Sequence, residues 1–285
     1  MNKEDLKNKI ETFYVQSLNI GDPCFLIALD AIKSIIGMDL NQINTNLLDW
    51  FSDSINDIKL SEYIPHSFED IPGAISFYSL ESALLKNDKK KSYESVFYLS
   101  KVSEGTQIFE FLLEFSLRYT ENCSKYIWHI MRLEKFFDGK YRIESLNRCI
   151  ELLIDDEYIN YTPSVSNSLS NWQDYLCLEV DNNIFSYYTI YKSNLIRLDY
   201  IRRLIIGRLE GMDVKKYCKT DIDIKKDQIV EGRLWINKYF SSLKIEDISL
   251  NQIILFDQVR SCLLFSKQDV DVKLFWNHLN KNLCN

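Results

Sequence analysis

The sequence predicts an all-α protein, an irregular array of antiparallel helical hairpins, and three observations carry that expectation. Only 8 glycines and 4 prolines serve 285 residues, too few for the tight turns of an all-β fold or for most loops that cradle phosphates. Apolar residues make up 46% of the chain and aromatic residues 13%, far more buriable surface than a disordered chain carries. Apolar positions also recur at three- and four-residue spacing along most of the length, between short polar breaks. A chain of this length supports one large core or two modest ones.

Leu6, Ile10, Phe13 and Leu18 mark a first helix that stops at Gly21, and Asp22-Pro23 offers a cap and a proline for the next start. Residues 24–36 are apolar on nearly every side, so this second helix belongs at the centre, ended by Gly37. A third runs from about Gln42 to Ile58. Pro65 and Pro72 bracket a loop, Pro72 opens a helix containing Phe77, Leu80, Leu84 and Leu85, and Lys89-Lys90-Lys91 marks the exposed turn after it. Tyr93 to Val102, Thr106 to Tyr119, Asn122 to Phe137 and Tyr141 to Asp156 continue the series, punctuated by Gly105 and Asp138-Gly139.

A polar stretch without periodicity, Thr162-Pro163-Ser164-Val165-Ser166-Asn167-Ser168, places a linker over 158–171. It divides an acidic helical subdomain, 1–157, from a near-neutral one, 172–285. Beyond it Leu176, Leu178 and Val180 alternate and Asp181-Asn182-Asn183 suits a turn, so a small β-hairpin near 176–191 is the alternative to a helix there. Helices follow from Leu195 to Glu210 (with Gly211 as cap), from Asp227 to Phe240, from Asp247 to Phe265 and from Val270 to Leu279. No fixed-period repeat of a named type runs through the chain.

The formal net charge is −7, which argues against general nucleic-acid binding and against an anionic membrane surface. The charge is uneven. Residues 1–160 carry 17 Lys and Arg against 26 Asp and Glu, and residues 161–285 carry 17 against 15. The 7 cysteines stand tens of residues apart with no CxxC pair, as reduced and mostly buried thiols of a cytoplasmic protein would. No apolar stretch approaches the roughly 18–20 residues of a membrane span, and the N-terminus lacks the pattern of a secretion signal. Richness in Ile, Asn, Lys, Asp and Tyr matches AT-rich coding in a bacterium, virus or protist.

No motif names a reaction or implies a cofactor. His66, His129 and His278 are isolated and suit packing or surface roles better than a metal or a triad. Asp221, Asp223 and Asp227 have a spacing suited to a divalent ion, yet Lys226 and Gly232 stand where a calcium loop needs Gly and Glu. A solvated loop ahead of a helix is the plainer reading. Gly207 and Gly211 read as a packing site and a cap. Arg197, Arg202, Arg203 and Arg208 decorate one helix and either grip an anion or pair with the acidic half.

Two acidic clusters stand out. Asp49, Asp53 and Asp57 recur every four residues, so they line one helical stripe at a cost of a few tenths of a kcal/mol per like-charged pair. Asp155, Asp156 and Glu157 end a helix, where the macrodipole disfavours acid. With Tyr158 and Trp172 nearby, these clusters combine charge steering and aromatic anchors, as a surface for a basic protein would. The expectation is a non-enzymatic, cytoplasmic binding module, most concretely an immunity-type protein that sequesters a basic bacterial toxin. The alternatives are a motif-poor nucleotide or phosphoester hydrolase and a phage- or host-directed antagonist, and an exposed aromatic face would equally make a homodimer.

Overall fold

A computed structural model of the chain describes residues 1–56, 58, 76–120, 122–158, 172, 175, 183–211, 224–266 and 269–283, with the side chains of 269–271 set aside. Every named element among the described residues is helical, and the one β-type pairing is an isolated bridge between Thr120 and Tyr158.

Among the described residues eight helices precede residue 158: α1 (Lys3–Leu18), α2 (Cys24–Ile36), α3 (Thr45–Asn56), α4 (Phe77–Leu85), α5 (Lys89–Val102), α6 (Gly105–Tyr119), α7 (Cys123–Phe136) and α8 (Arg142–Asp155). Six follow: α9 (Asn183–Lys192), α10 (Asp199–Glu210), α11 (Lys226–Glu231), α12 (Arg233–Ser242), α13 (Leu250–Phe265) and α14 (Asp269–Leu283). The α2 helix takes the central place its composition predicts, packed against α1, α3, α7, α12 and α13. Its side chains from Leu26 to Ile32 are all buried, so few of its positions meet water.

Helices on both sides of the expected 158–171 linker feed one hydrophobic cluster. Ile32, Ile130 and Leu153 belong to it together with Tyr188, Phe256 and Trp276. The packing of α13 on α2 and of α10 on α6 brings late helices onto early ones. The linker lies outside the described residues except for Tyr158.

Four expectations need correction. The β-hairpin does not form over 183–191, where the chain is helical, and residues 176–182 lie outside the described residues. Ile184 to Ile190 are all buried, a pattern that suits a helix enclosed on every side and gives no alternating strand face. The lysine run is not a turn: Asp88 accepts the Lys91 amide at 3.1 Å, and Lys89–Lys91 become the first turn of α5. The helix expected from Asp227 to Phe240 is broken at Gly232, whose φ of +55 suits glycine and separates α11 from α12.

The fourth concerns α10, which starts at Asp199 and not at Leu195. Arg202 donates to the carbonyls of Tyr191, Ser193 and Ile196 at 3.1, 3.1 and 2.8 Å, which ties the preceding segment into a loop. The buried Glu110 carboxylate receives the Arg197 and Leu198 amides, placing negative charge at the α10 N-terminus where the macrodipole favours it.

Candidate functional site

The expected acidic clusters lie on separate elements. On α3, Asp49 pairs with Lys9 of α1 at 3.1 Å, which relieves part of the like-charge cost of the stripe, and Asp53 is exposed. Asp57 lies outside the described residues. At the end of α8, Asp155 and Glu157 are exposed, whereas Asp156 turns inward and accepts the Asn122 amide and the Cys123 thiol, each at 3.2 Å. These groups open α7, so an acid at the wrong end of its own helix sits at the favourable end of the next. Tyr158 donates to the Leu84 carbonyl at 2.7 Å, and Trp172 packs its ring 5.1 Å from Tyr188 and 5.2 Å from Tyr191. Asp156, Tyr158 and Trp172 therefore serve internal contacts.

Arg202 and Arg208 are consumed by the fold, whereas Arg197 and Arg203 make pairs at the surface. Arg197 pairs with Glu104 at 3.1 Å and Arg203 with Asp199 at 3.4 Å. Arg208 donates to the carbonyls of Leu117 and Thr120, each at 2.7 Å, which fastens α10 to the end of α6. Of the aspartates with metal-like spacing, Asp227 lies in the first turn of α11, and Asp221 and Asp223 lie outside the described residues. Cys24, Cys123, Cys149 and Cys262 are free thiols, and burial pushes all of them up and away from reactive thiolate character. Among the described residues no helix is long and apolar enough to cross a membrane.

Two arrangements were not read from the sequence. The first is a buried ionic cluster where α2, α7 and α13 meet. Asp30 holds Lys33 on one carboxylate oxygen and, on the other, His129 Nδ1 at 2.7 Å and Arg132 at 3.0 Å. Arg132 reaches Asp257 at 3.6 Å and Ser34 Oγ at 3.0 Å, and Arg260 closes on Asp257 at 2.6 Å. Burial opposes the Asp30 charge, but Arg132, Lys33 and His129 beside it hold the carboxyl well below the usual range. Donor atoms of Asp30, His129 and Asp257 lie within 4.8 Å of one another, as a metal would require. They do not fit one, because Lys33, Arg132 and Arg260 already occupy the carboxylates and would have to be displaced. The cluster is an internal ion network joining early and late helices. A shallow cavity of about 570 Å³, lined by Ser34, Met38, Arg233 and Arg260, opens over its α13 side.

The second is a cleft of about 860 Å³ between the α5–α6 turn, the C-terminal end of α7, the turn before α8 and residues 194–197. Glu134 lines it, 5% exposed, with Oε2 accepting from Ser145 Oγ at 3.0 Å and Oε1 buried without a hydrogen-bond partner. Burial pushes this carboxyl up to about 7 against the Ser145 hydrogen bond and the Arg142 charge, with Glu144 adding to the rise. A carboxyl titrating near neutrality in a cleft is suited to accept or give a proton. Arg142 enters between two glycines: a Cβ on Gly105 would stand 2.5 Å from its Nε, and one on Gly139 2.8 Å from its Nη2. Nothing in the local sequence announces this site, since Glu134 sits between Leu133 and Lys135 like any surface helix residue.

The chain matches no protein-family model, no curated protein and no solved structure.

Proposed function

We propose that the protein is a non-enzymatic binding module that sequesters a basic protein, most concretely as an immunity-type antagonist of a cationic bacterial toxin. The observation that supports this reading is the acidity of the chain, whose 41 Asp and Glu outnumber its 34 Lys and Arg. Asp53, Asp155 and Glu157 face solvent. A net charge of −7 speeds encounter with a basic partner, and that steering weakens as salt screens it.

The test is affinity purification of the tagged chain from its source cells at low salt and again at about 0.5 M salt, where the screening length falls well below 10 Å. A stoichiometric basic protein retained at low salt is the expected result, and the combined reversal Asp53→Lys, Asp155→Lys and Glu157→Lys should release it. A chain that emerges alone and monomeric from both buffers removes the reading.

A second reading is favoured by the cleft: a phosphoester hydrolase whose general base is Glu134. Its test is turnover of a generic phosphomonoester by the wild type and by Glu134→Gln. Activity that Glu134→Gln retains in full eliminates it.

A further inference from the structure

The cleft beside Glu134 carries more than a titrating carboxyl. The α6 helix has 15 residues, and the amides of Gly105 and Thr106 at its start have no intrahelical acceptor, whereas Gln107 donates to the Glu104 carbonyl at 3.1 Å. The side chain of its N-cap residue, Glu104, does not cap them, being engaged with Arg197 at 3.1 Å. Those amides and the positive end of the α6 macrodipole therefore stand open at the cleft wall, as an anion site requires. Arg142 lies against the same turn, in the space that Gly105 and Gly139 leave by having no side chain. Among the described residues its guanidinium has neither a hydrogen bond nor an ion pair. Lys101 and Lys135 line the same cleft. The independent observation is Glu134 Oε1, an acceptor on a side chain 5% exposed, left without a partner at the cleft wall. A buried acceptor with no donor is costly, and a ligand hydroxyl would satisfy it.

We propose that this cleft binds a small phosphate-bearing polyol, with the phosphate held by the Arg142 guanidinium and the first amides of α6 and a ligand hydroxyl donating to Glu134 Oε1. A planar guanidinium takes two phosphate oxygens side by side. The hydroxyl contact distinguishes the ligand from a bare anion. The proposal concerns equilibrium binding and stands apart from both the protein partner and any turnover.

Isothermal titration of the full chain with glycerol 3-phosphate, inorganic phosphate and glycerol tests it. Glycerol 3-phosphate should bind saturably, inorganic phosphate more weakly and glycerol not at all. Arg142→Gln should weaken both phosphate probes by roughly tenfold or more, the usual effect of losing a charge-assisted contact. Gly105→Ala keeps the arginine but puts a methyl group where its guanidinium lies, and should weaken the same probes. That second variant decides the matter if Arg142→Gln fails to fold. No saturable binding of either phosphate probe, or unchanged affinity in the variant that folds, overturns the site. Equal affinity for the two phosphate probes overturns the role given to Glu134.

Discussion

At Asp30 a charge has been placed in a fully enclosed position, on a helix whose other buried residues are Leu, Ile and Ala. Removing one member of such a buried network leaves the others uncompensated, so Asp30→Asn should cost about 3–5 kcal/mol, read by urea denaturation at pH 7. The pH dependence has a fixed sign. The folded carboxyl is held below its unfolded value of about 3.9, so its stabilisation is present above that pH and lost as the pH falls below it. The gap between wild type and Asp30→Asn should therefore narrow on acidification towards pH 3. Glu134 has the opposite sign. Its folded carboxyl is raised to about 7 from an unfolded value near 4.3, so its contribution is complete below about pH 4 and disappears as the pH climbs through 7. Glu134→Gln should accordingly melt about 2–4 °C above wild type at pH 8.5 and show no such gain at pH 4. Equal shifts at the two pH values would show that burial does not perturb this carboxyl.

Gly232 illustrates how one residue sets an element boundary. Its φ of +55 and ψ of −129 lie where L side chains are strained, yet a Cβ there would meet nothing within 4 Å. Any penalty at this position belongs to the backbone alone, and Gly232→Ala should destabilise by about 1–3 kcal/mol in urea. Gly21→Ala is the matched control, also with open space but with no positive φ, and should be neutral within about 0.5 kcal/mol. Helices such as α1 and α3 were legible because their burial repeats at the helical period, which local sequence records. The end of the α11 helix was not, since a glycine inside an apolar pattern reads equally as tolerated or as a break. The start of α10 was hidden for another reason: Glu110 and Arg202, which fix it, act from 88 and 6 residues away. The candidate sites were less legible still. Asp30 and His129 are 99 residues apart, and helical spacing reports only which face a residue shares with its near neighbours. The one available signal was Asp30 and Lys33 together inside an apolar helix, since charges in such a setting are buried only when paired. For the cleft there was none, because Gly105, Glu134 and Arg142 are each ordinary in their own segments.

Across the molecule, the ionic cluster spans the charge division of the sequence. Asp30, Lys33, His129 and Arg132 come from the acidic half, and Asp257 and Arg260 from the near-neutral half. The packing of α13 on α2 surrounds that network with the shared hydrophobic cluster. Unfolding either half alone would break the Arg132–Asp257 pair and open apolar surface on both sides at once. The two halves should therefore lose structure together, with the calorimetric enthalpy equal to the van't Hoff enthalpy and a single transition by both tryptophan fluorescence and far-ultraviolet dichroism. Arg132→Met tests the origin of that coupling. Methionine fills similar volume without the charge, so the pair Asp30 and Asp257 would lose their common cation while the apolar packing stayed in place. A lower midpoint with the single transition intact assigns the coupling to the hydrophobic cluster. A transition that splits in two assigns it to the arginine, and two transitions already in the wild type would show that the halves fold independently despite sharing a core.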